Sequence, residues 1–273
     1  MLRVLHISDL HFGRPAVPTQ IEAIEAIVQA ERFDVVAVSG DVSQRARAGE
    51  FQRAAVFLRD AERVSRTIVV PGNHDVAWWR APLHLGDEGR LYEAYRAYVS
   101  PELEPVLRVP GAVFVGVNTS HGVTMRTLTW NLRDISIIGD ITREQLARVR
   151  TEAGEVRAGD ARVVVMHHNP VKGELSQRHG LKNTRKVLGA FADMGVELIL
   201  CGHDHQEAIH YIEHTKKGTV VSTAGTVSSR SRGGRPSSMN AITITPGAID
   251  IVSRIWDGGA STFVPGASRR FDR

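Results

Sequence analysis

An α/β protein with two sheets, each backed by helices, is what this 273-residue sequence predicts. Three observations carry the prediction. Runs of β-forming residues (VLHIS, DVVAVS, TIVVP, ARVVVM and VELILC) recur up to residue 201, and nearly every one stops at a short polar block. Between the first three runs lie apolar residues at helical spacing. That β-α-β-α-β rhythm implies parallel strands with helices against the sheet face. From residue 207 onward, strand patterns follow one another with only turn signals between them.

The elements follow in order. A strand at 2–8 precedes a helix near 18–31, where Ile21, Ile24, Ile27 and Val28 recur at helical spacing. A strand at 34–39 leads to a helix near 48–63 carrying Phe51, Ala55 and Leu58, then to a strand at 66–70. Residues 76–110 break the rhythm. Prolines at 82, 101, 105 and 110, Trp78-Trp79 and a helical stretch near 89–99 suggest an excursion over the strand ends. Strands are expected again at 112–118 and 134–138. A helix near 142–153 follows, with Thr142 as N-cap and Gln145 as its capping-box partner. Next come a strand at 162–166, a helix near 183–194 and a strand at 196–201. Four strands follow, at 207–213, 218–224, 239–245 and 248–256, with turns at Lys217-Gly218 and Pro246-Gly247. Ser228–Ser238 reads as a Ser/Gly/Arg loop. The division expected is one domain over 1–257 and a loop-like, partly mobile tail over 258–273.

Composition narrows the class. Hydrophobic content of 42% and charged content of 23% are those of an ordinary water-soluble protein. No apolar run approaches the roughly 20 residues that a bilayer span needs. The opening MLRVLHISDLH does not read as a signal peptide, and it carries the first polar block. The single Cys201 excludes an internal disulfide and fits a reducing compartment, so a cytoplasmic protein is expected. A net charge of +4 favours an anionic partner such as phosphate. Because 30 acidic residues offset 34 basic ones, it does not by itself argue for nucleic-acid binding.

The polar blocks carry the chemistry. They are Asp9-Leu10-His11, Gly40-Asp41, Gly72-Asn73-His74-Asp75, His167-His168 and Gly202-His203-Asp204-His205. Carboxylate, amide and imidazole without thiolate suit hard or borderline divalent ions such as Mn, Fe or Zn. Two ions about 3.5–4 Å apart need a bridging carboxylate. Asp41, following a glycine at a strand end, is placed for that, with one oxygen for each ion. Asp9 and His11 stand two apart, the strand period that puts both on one side, as do His203 and His205. Asn73 adds a neutral oxygen, which leaves the site net positive toward a phosphate. A lone D-x-H or H-x-H recurs by chance, whereas the ordered series of five is specific.

In these five blocks, taken in this order, the chain resembles the calcineurin-like metallophosphoesterases over residues 5 to 205. The wording DLHFG, GD, GNHD, HHNP and GHDH is similar to that of their class III cyclic nucleotide phosphodiesterases. The resemblance implies a four-layer αββα sandwich of two mixed sheets flanked by helices, with two divalent ions at the joint edge of the sheets. It implies that Asp9, His11, Asp41 and His205 bind one ion and that Asp41, Asn73, His167 and His203 bind the other. His74 matches the histidine that contacts phosphate and protonates the leaving oxygen, with Asp75 orienting it. Adjacent strand residues point to opposite sides, so His167 and His168 compete for one role. The family pattern assigns the ligand to His167 and puts His168 behind it or toward substrate.

Outside the blocks, His6 reads as a hydrogen-bonded core residue, and His84, His121, His210 and His214 as surface or loop residues. Arg178 and His179 lie in a loop that either overhangs the site and touches substrate or is simply solvated. Trp78-Trp79 either stack a base or anchor the excursion. Arg230, Arg232 and Arg235 either grip phosphate or form a solvated basic loop. Three functions compete: hydrolysis of a small phosphodiester, with a cyclic nucleotide foremost; a nuclease or DNA-repair phosphoesterase, with nucleic acid as substrate; and a non-catalytic scaffold on the same fold. Metal identity and oligomeric state are not legible.

Overall fold

The computed structural model describes residues 1–77, 88–121, 138–176, 180–214 and 218–273. Trp78, Trp79, His84, Arg178, His179, Lys217 and nearly all of the strand expected at 134–138 lie outside these.

Strand β1 (Leu2–Ile7) shows the plan of the molecule, because it is apolar on both faces. Leu5 and Ile7 join one buried cluster, and Leu2 and Val4 join another. A strand of this kind must be covered on both sides. The same division runs through β2 (Val35–Val38), where Val36 and Val38 turn one way and Val35 and Ala37 the other. In β6 (Ala161–His168), Val163 and Val165 belong to the shared middle cluster, whereas Val164 and Met166 belong to a third.

Three apolar layers therefore separate four layers of structure. The first layer holds helices α1 (Pro18–Glu31) and α2 (Ala48–Glu62). Their Ile24, Val28, Phe51 and Leu58 pack on Leu5, Ile7, Val36 and Val38. Beneath lies a sheet of β1, β2 and β3 (Arg66–Val69), all parallel, extended by the antiparallel β10 (Ser238–Ile244), β11 (Ala248–Asp257) and β12 (Thr262–Asp272). Its order is β12-β11-β10-β1-β2-β3. The second sheet contains β4 (Val106–Val109), β5 (Ala112–Val117), β6, β7 (Leu198–Gly202), β8 (Ala208–Ile212) and β9 (Thr219–Thr223), in the order β4-β5-β6-β7-β9-β8. Its four central strands are parallel, and β4 and β8 are antiparallel edges. Its outer face carries α5 (Arg143–Gly154) and α6 (Thr184–Asp193), whose Leu146, Val149, Val187 and Phe191 meet Val164, Met166 and Ile199. The result is a four-layer αββα sandwich. Short helices α3 (Glu88–Leu91) and α4 (Glu93–Tyr98) cap the first layer, where Tyr95 is fully buried against Phe51.

Thr142 Oγ1 accepts the Gln145 N–H at 3.2 Å, and Gln145 Oε1 accepts the Thr142 N–H at 2.8 Å, so the capping box opens α5 as expected. His6 is a core histidine joining the two sheets. Its Nδ1 lies 3.2 Å from Ser222 Oγ and its Nε2 lies 3.0 Å from Ser39 Oγ. Two expectations fail. The last part of the 76–110 excursion is a strand, β4, paired with β5. The tail expected to be loop-like forms β12, which pairs with β11 from Ala248↔Asp272 to Asp257↔Thr262. Its Gly, Ser and Pro content hides the strand. An edge strand with a register shift between Val252 and Arg254 tolerates such residues.

Candidate metal centre

The polar blocks begin where parallel strands stop: after Ile7 of β1, Val38 of β2, Val69 of β3 and Gly202 of β7, with His167 and His168 closing β6. Backbone bonds stitch these loops into one surface. Asp9 N–H donates to the Gly40 carbonyl at 3.0 Å, and His11 N–H to the Asp41 carbonyl at 2.9 Å. From the other sheet, His203 N–H donates to the Asp9 carboxylate at 3.1 Å. The loops approach so closely that a β-carbon at Gly72 would overlap the Asp41 carboxylate, and one at Gly202 would overlap Ser8 and Asp9.

The spacing rule needs correcting here. Asp9 and His11, like His203 and His205, were expected to share a side through the strand period. Both pairs instead lie beyond their strands, and all four residues are left-handed, as is Asp41, with φ between 46° and 72°. Asp and His tolerate that region better than most residues, yet each instance costs about 1 kcal/mol or more. Turn geometry, not pleat, aims these side chains. Strain of this kind gathers at functional sites.

One group comprises Asp9, His11, Asp41 and His205, all buried, whose candidate ligand atoms lie within 4.8 Å of one another. His11 Nε2 and His205 Nε2 are 3.1 Å apart, and Asp9 Oδ1 is 3.1 Å from His205 Nε2 and 3.7 Å from His11 Nε2. A second group adjoins it. Asn73 Oδ1 lies 3.1 Å from His167 Nε2 and 3.0 Å from His203 Nδ1, and His167 Nε2 is 3.3 Å from Asp41 Oδ2. Asp41 joins the two groups, though not with one oxygen for each. Oδ1 accepts the His74 N–H at 2.8 Å, while Oδ2 faces both His167 and, at 3.9 Å, His11.

These residues fit cations. Asp9 Oδ1 and Asp41 Oδ2 are buried with no hydrogen-bond partner among the described residues, a costly arrangement for a carboxylate unless a positive charge meets it. The imidazoles record the same demand. Burial works to lower His167, but the Asp41 and Asp9 carboxylates outweigh it and push its pKa up to about 9. Burial pulls His11 and His203 down to about 3, against the same carboxylates, so both are neutral donors at pH 7. Backbone carbonyls set the ring orientations. Ser39 O lies 2.8 Å from His167 Nδ1 and Arg230 O lies 3.0 Å from His205 Nδ1, which turns each Nε2 inward.

His74 stands beside this cluster, its ring 4.9 Å from that of His11. Its Nδ1 lies 2.8 Å from the Gln44 carbonyl, and its Nε2 lies 3.1 Å from Arg230 Nη1. Asp75 does not orient it. The Asp75 carboxylate accepts instead from the backbone N–H groups of Val42 (3.1 Å), Ser43 (2.7 Å) and Gly72 (2.9 Å), and from Ser43 Oγ (2.8 Å). It buckles the second and third blocks together. His168 lies 2.7 Å from Thr119 Oγ1 through Nδ1, and its ring centroid is 4.5 Å from that of His203. A register shift between Val165 and His168 brings both adjacent histidines toward His203. Gln44, Thr119, Ser39 and the Arg230 carbonyl are the contributors that sequence reading missed. Three of these contacts are backbone carbonyls, which leave no mark on residue type.

A sequence model described as calcineurin-like phosphoesterase matches residues 2–207. The chain belongs to that family. Phosphoric ester hydrolysis with a dinuclear metal site is the family's chemistry, and the Asp9, His11, Asp41 and His205 cluster could hold a metal ion. Among solved structures, a purple acid phosphatase from yellow lupin seeds is similar over 100% of this chain and 54% of its own, with a TM-score of 0.73 and 10% identity. This chain thus spans about half the length of the lupin protein. GAP50, described as the anchor in the inner membrane complex of Plasmodium, is similar over 99% of this chain and 88% of its own (TM-score 0.60, 13% identity). TT1561 of Thermus thermophilus covers 97% and 98% respectively (TM-score 0.53, 12% identity). At such identities the likeness is one of fold. No curated protein matches the sequence. Among the described residues, no helix is long and apolar enough to cross a membrane.

Proposed function

We propose that this phosphoesterase is a phosphodiesterase acting on a small phosphodiester, with a cyclic nucleotide the foremost candidate. The observation that carries the reading is the pair of adjoining ligand groups sharing Asp41 Oδ2, with His74 at their side. In this reading Asp9, His11, Asp41 and His205 hold one divalent ion, and Asp41, Asn73, His167 and His203 hold the other. Bound there, two divalent ions supply Lewis-acid polarisation of phosphoryl oxygens and a nucleophile from water at neutral pH.

The chain's own residues do the rest. Asp41 accepts the His74 N–H, which ties the position of His74 to that of the shared carboxylate. The Gln44 carbonyl occupies Nδ1 of His74. Nε2, now 3.1 Å from Arg230 Nη1, is therefore the nitrogen that in this reading exchanges that contact for substrate and, once protonated, passes its proton to the leaving oxygen. Asp75 keeps the loops bearing Asp41 and Asn73 in register. His168 backs His203.

Nucleic acid as substrate receives less support. Two arginines of the basic loop already face carboxylates, Arg232 at 3.8 Å from Asp204 and Arg235 at 3.4 Å from Glu174. Among the described residues of that loop, this leaves little of a free cationic track. A purely structural role, such as the anchor function described for GAP50, does not require two complete ligand groups.

The test is a substrate panel on protein reconstituted with Mn, Fe, Ni or Zn. Hydrolysis of bis-p-nitrophenyl phosphate and cyclic nucleotides, with weak action on p-nitrophenyl phosphate, is expected. Cleavage of single-stranded DNA with cyclic nucleotides untouched would transfer the assignment to a nuclease. No turnover with any of the metals would remove catalysis altogether.

A further inference from the structure

We propose that Arg230 is a phosphate-binding residue of this site, an inference that rests on the phosphodiesterase reading above. Arg230 comes from the Ser/Gly/Arg loop, whose role is not evident from the sequence. The chain leading into it is tied to the centre. Thr226 Oγ1 donates to the Asp9 carbonyl at 2.8 Å and lies 2.7 Å from Ser228 Oγ, which accepts the Arg230 N–H at 3.3 Å. The Arg230 carbonyl meets His205 Nδ1. One residue therefore sets the orientation of a metal-facing imidazole through its backbone and reaches His74 with its side chain.

The guanidinium geometry is what suggests a ligand. Nη1 spends both hydrogens locally, at 3.1 Å from Gln44 Oε1 and 3.1 Å from His74 Nε2. The remaining N–H groups, on Nη2 and Nε, have no hydrogen-bond partner among the described residues, although the residue is half-buried. Arg232 and Arg235, in the same loop, are engaged with carboxylates. A planar fork with free donors, fixed beside the imidazole that meets the leaving oxygen, matches a phosphoryl group's paired oxygens. It supplies positive charge beside His74. Gln44 then acts as a positioning residue, holding both His74 and Arg230.

The experiment measures inorganic phosphate binding to metal-loaded protein by calorimetry, together with metal stoichiometry and the kcat and KM for bis-p-nitrophenyl phosphate. Arg230→Ala keeps the backbone carbonyl on His205, so unchanged metal content is expected. Phosphate affinity is expected to fall roughly 10- to 100-fold, with a parallel rise in KM. Arg230→Lys keeps the charge without the fork and should fall between the two. Phosphate affinity and KM unchanged in Arg230→Ala would overturn the proposal. So would metal loss in that variant, because the effect would then run through His205. Wild-type protein that neither turns over substrate nor binds phosphate would instead sink the phosphodiesterase reading itself.

Discussion

Gly40→Ala probes the closeness of the strand ends with a single methyl group. Gly40 sits at φ +92°, a backbone conformation that an L side chain rarely adopts, and a β-carbon there would lie 2.6 Å from His167 Nδ1 and 2.9 Å from the Gly72 Cα. The backbone strain costs about 1–2 kcal/mol. Overpacking in a dense interior adds about 1–3 kcal/mol. In a chain of this size, about 2–5 kcal/mol corresponds to a melting temperature lower by roughly 4–9 °C. To escape the overlap, the His167 ring must retreat by close to 1 Å, a displacement that costs catalysis on the order of 100-fold. Thermal melts, metal stoichiometry and diesterase kcat/KM read the three effects separately. Gly49→Ala is the matched control. Gly49 lies in α2 with nothing within 4 Å of the added carbon, so that variant should gain up to about 1 kcal/mol. If Gly40→Ala melts with the wild type and keeps its metal and turnover, the packing of Gly40 against His167 is not what positions that ligand.

Saturating Mn at about 100 times its dissociation constant should stabilise the wild type by about 2.7 kcal/mol in calorimetric melts. Asp41→Asn should abolish that gain along with turnover; a retained metal shift would remove Asp41 as the shared ligand. His74→Asn should keep metal and lose on the order of 100-fold or more in kcat, and normal turnover would exclude it from catalysis. Burial, partly opposed by the Asp9 carboxylate, pulls His6 down to about 3 from 6.5. Because the folded value lies below the unfolded one, the stability it confers is complete above pH 6.5 and drains as pH falls toward 3. Urea titrations should show His6→Gln less sensitive to acid than the wild type by about 3 kcal/mol at pH 4; parallel curves would refute this. Phe263→Ala, deleting a buried ring that lies 5.2 Å from Trp256 across β11 and β12, should cost about 3–5 kcal/mol in the same titrations, where a loose tail would cost nothing.

What was legible in the sequence was what chemistry dictates locally. Few residue types suit a divalent ion, so Asp9, His11, Asp41, Asn73, His167, His203 and His205 stand out as candidates, and the structure brings all of them together. Strands apolar on both faces, such as Val35–Val38, announce a buried sheet for the same reason. Features that depend on distant partners were harder to see. β12 is a strand because β11 offers it a ladder, and nothing within Thr262–Asp272 says so by itself. The left-handed turns at Asp9, His11, His203 and His205 defeat a periodicity argument, because no glycine marks them. The mistaken role for Asp75 followed from reading an acid beside a histidine as its partner. Its three backbone donors come from Val42, Ser43 and Gly72, and backbone N–H groups are invisible in a list of side chains.

The pairing of β1 with β10 also bears on how the chain reaches this state. Leu2 lies opposite Ile244 and His6 opposite Asn240. The strand that delivers Asp9 and His11 therefore lacks one of its two neighbours until residues 240–244 have been synthesised. Contacts so remote in sequence are slow to close, because loop entropy must be met before any ladder bond rewards it. Each of the five polar blocks precedes residue 206, yet the sheet that steadies the first of them is completed from beyond residue 238. A ribosome-bound chain would thus carry every ligand before it has a stable pocket, with an open β1 edge available for mispairing. Emergence of β10 to β12, rather than emergence of the five polar blocks, becomes the event that times assembly of the centre.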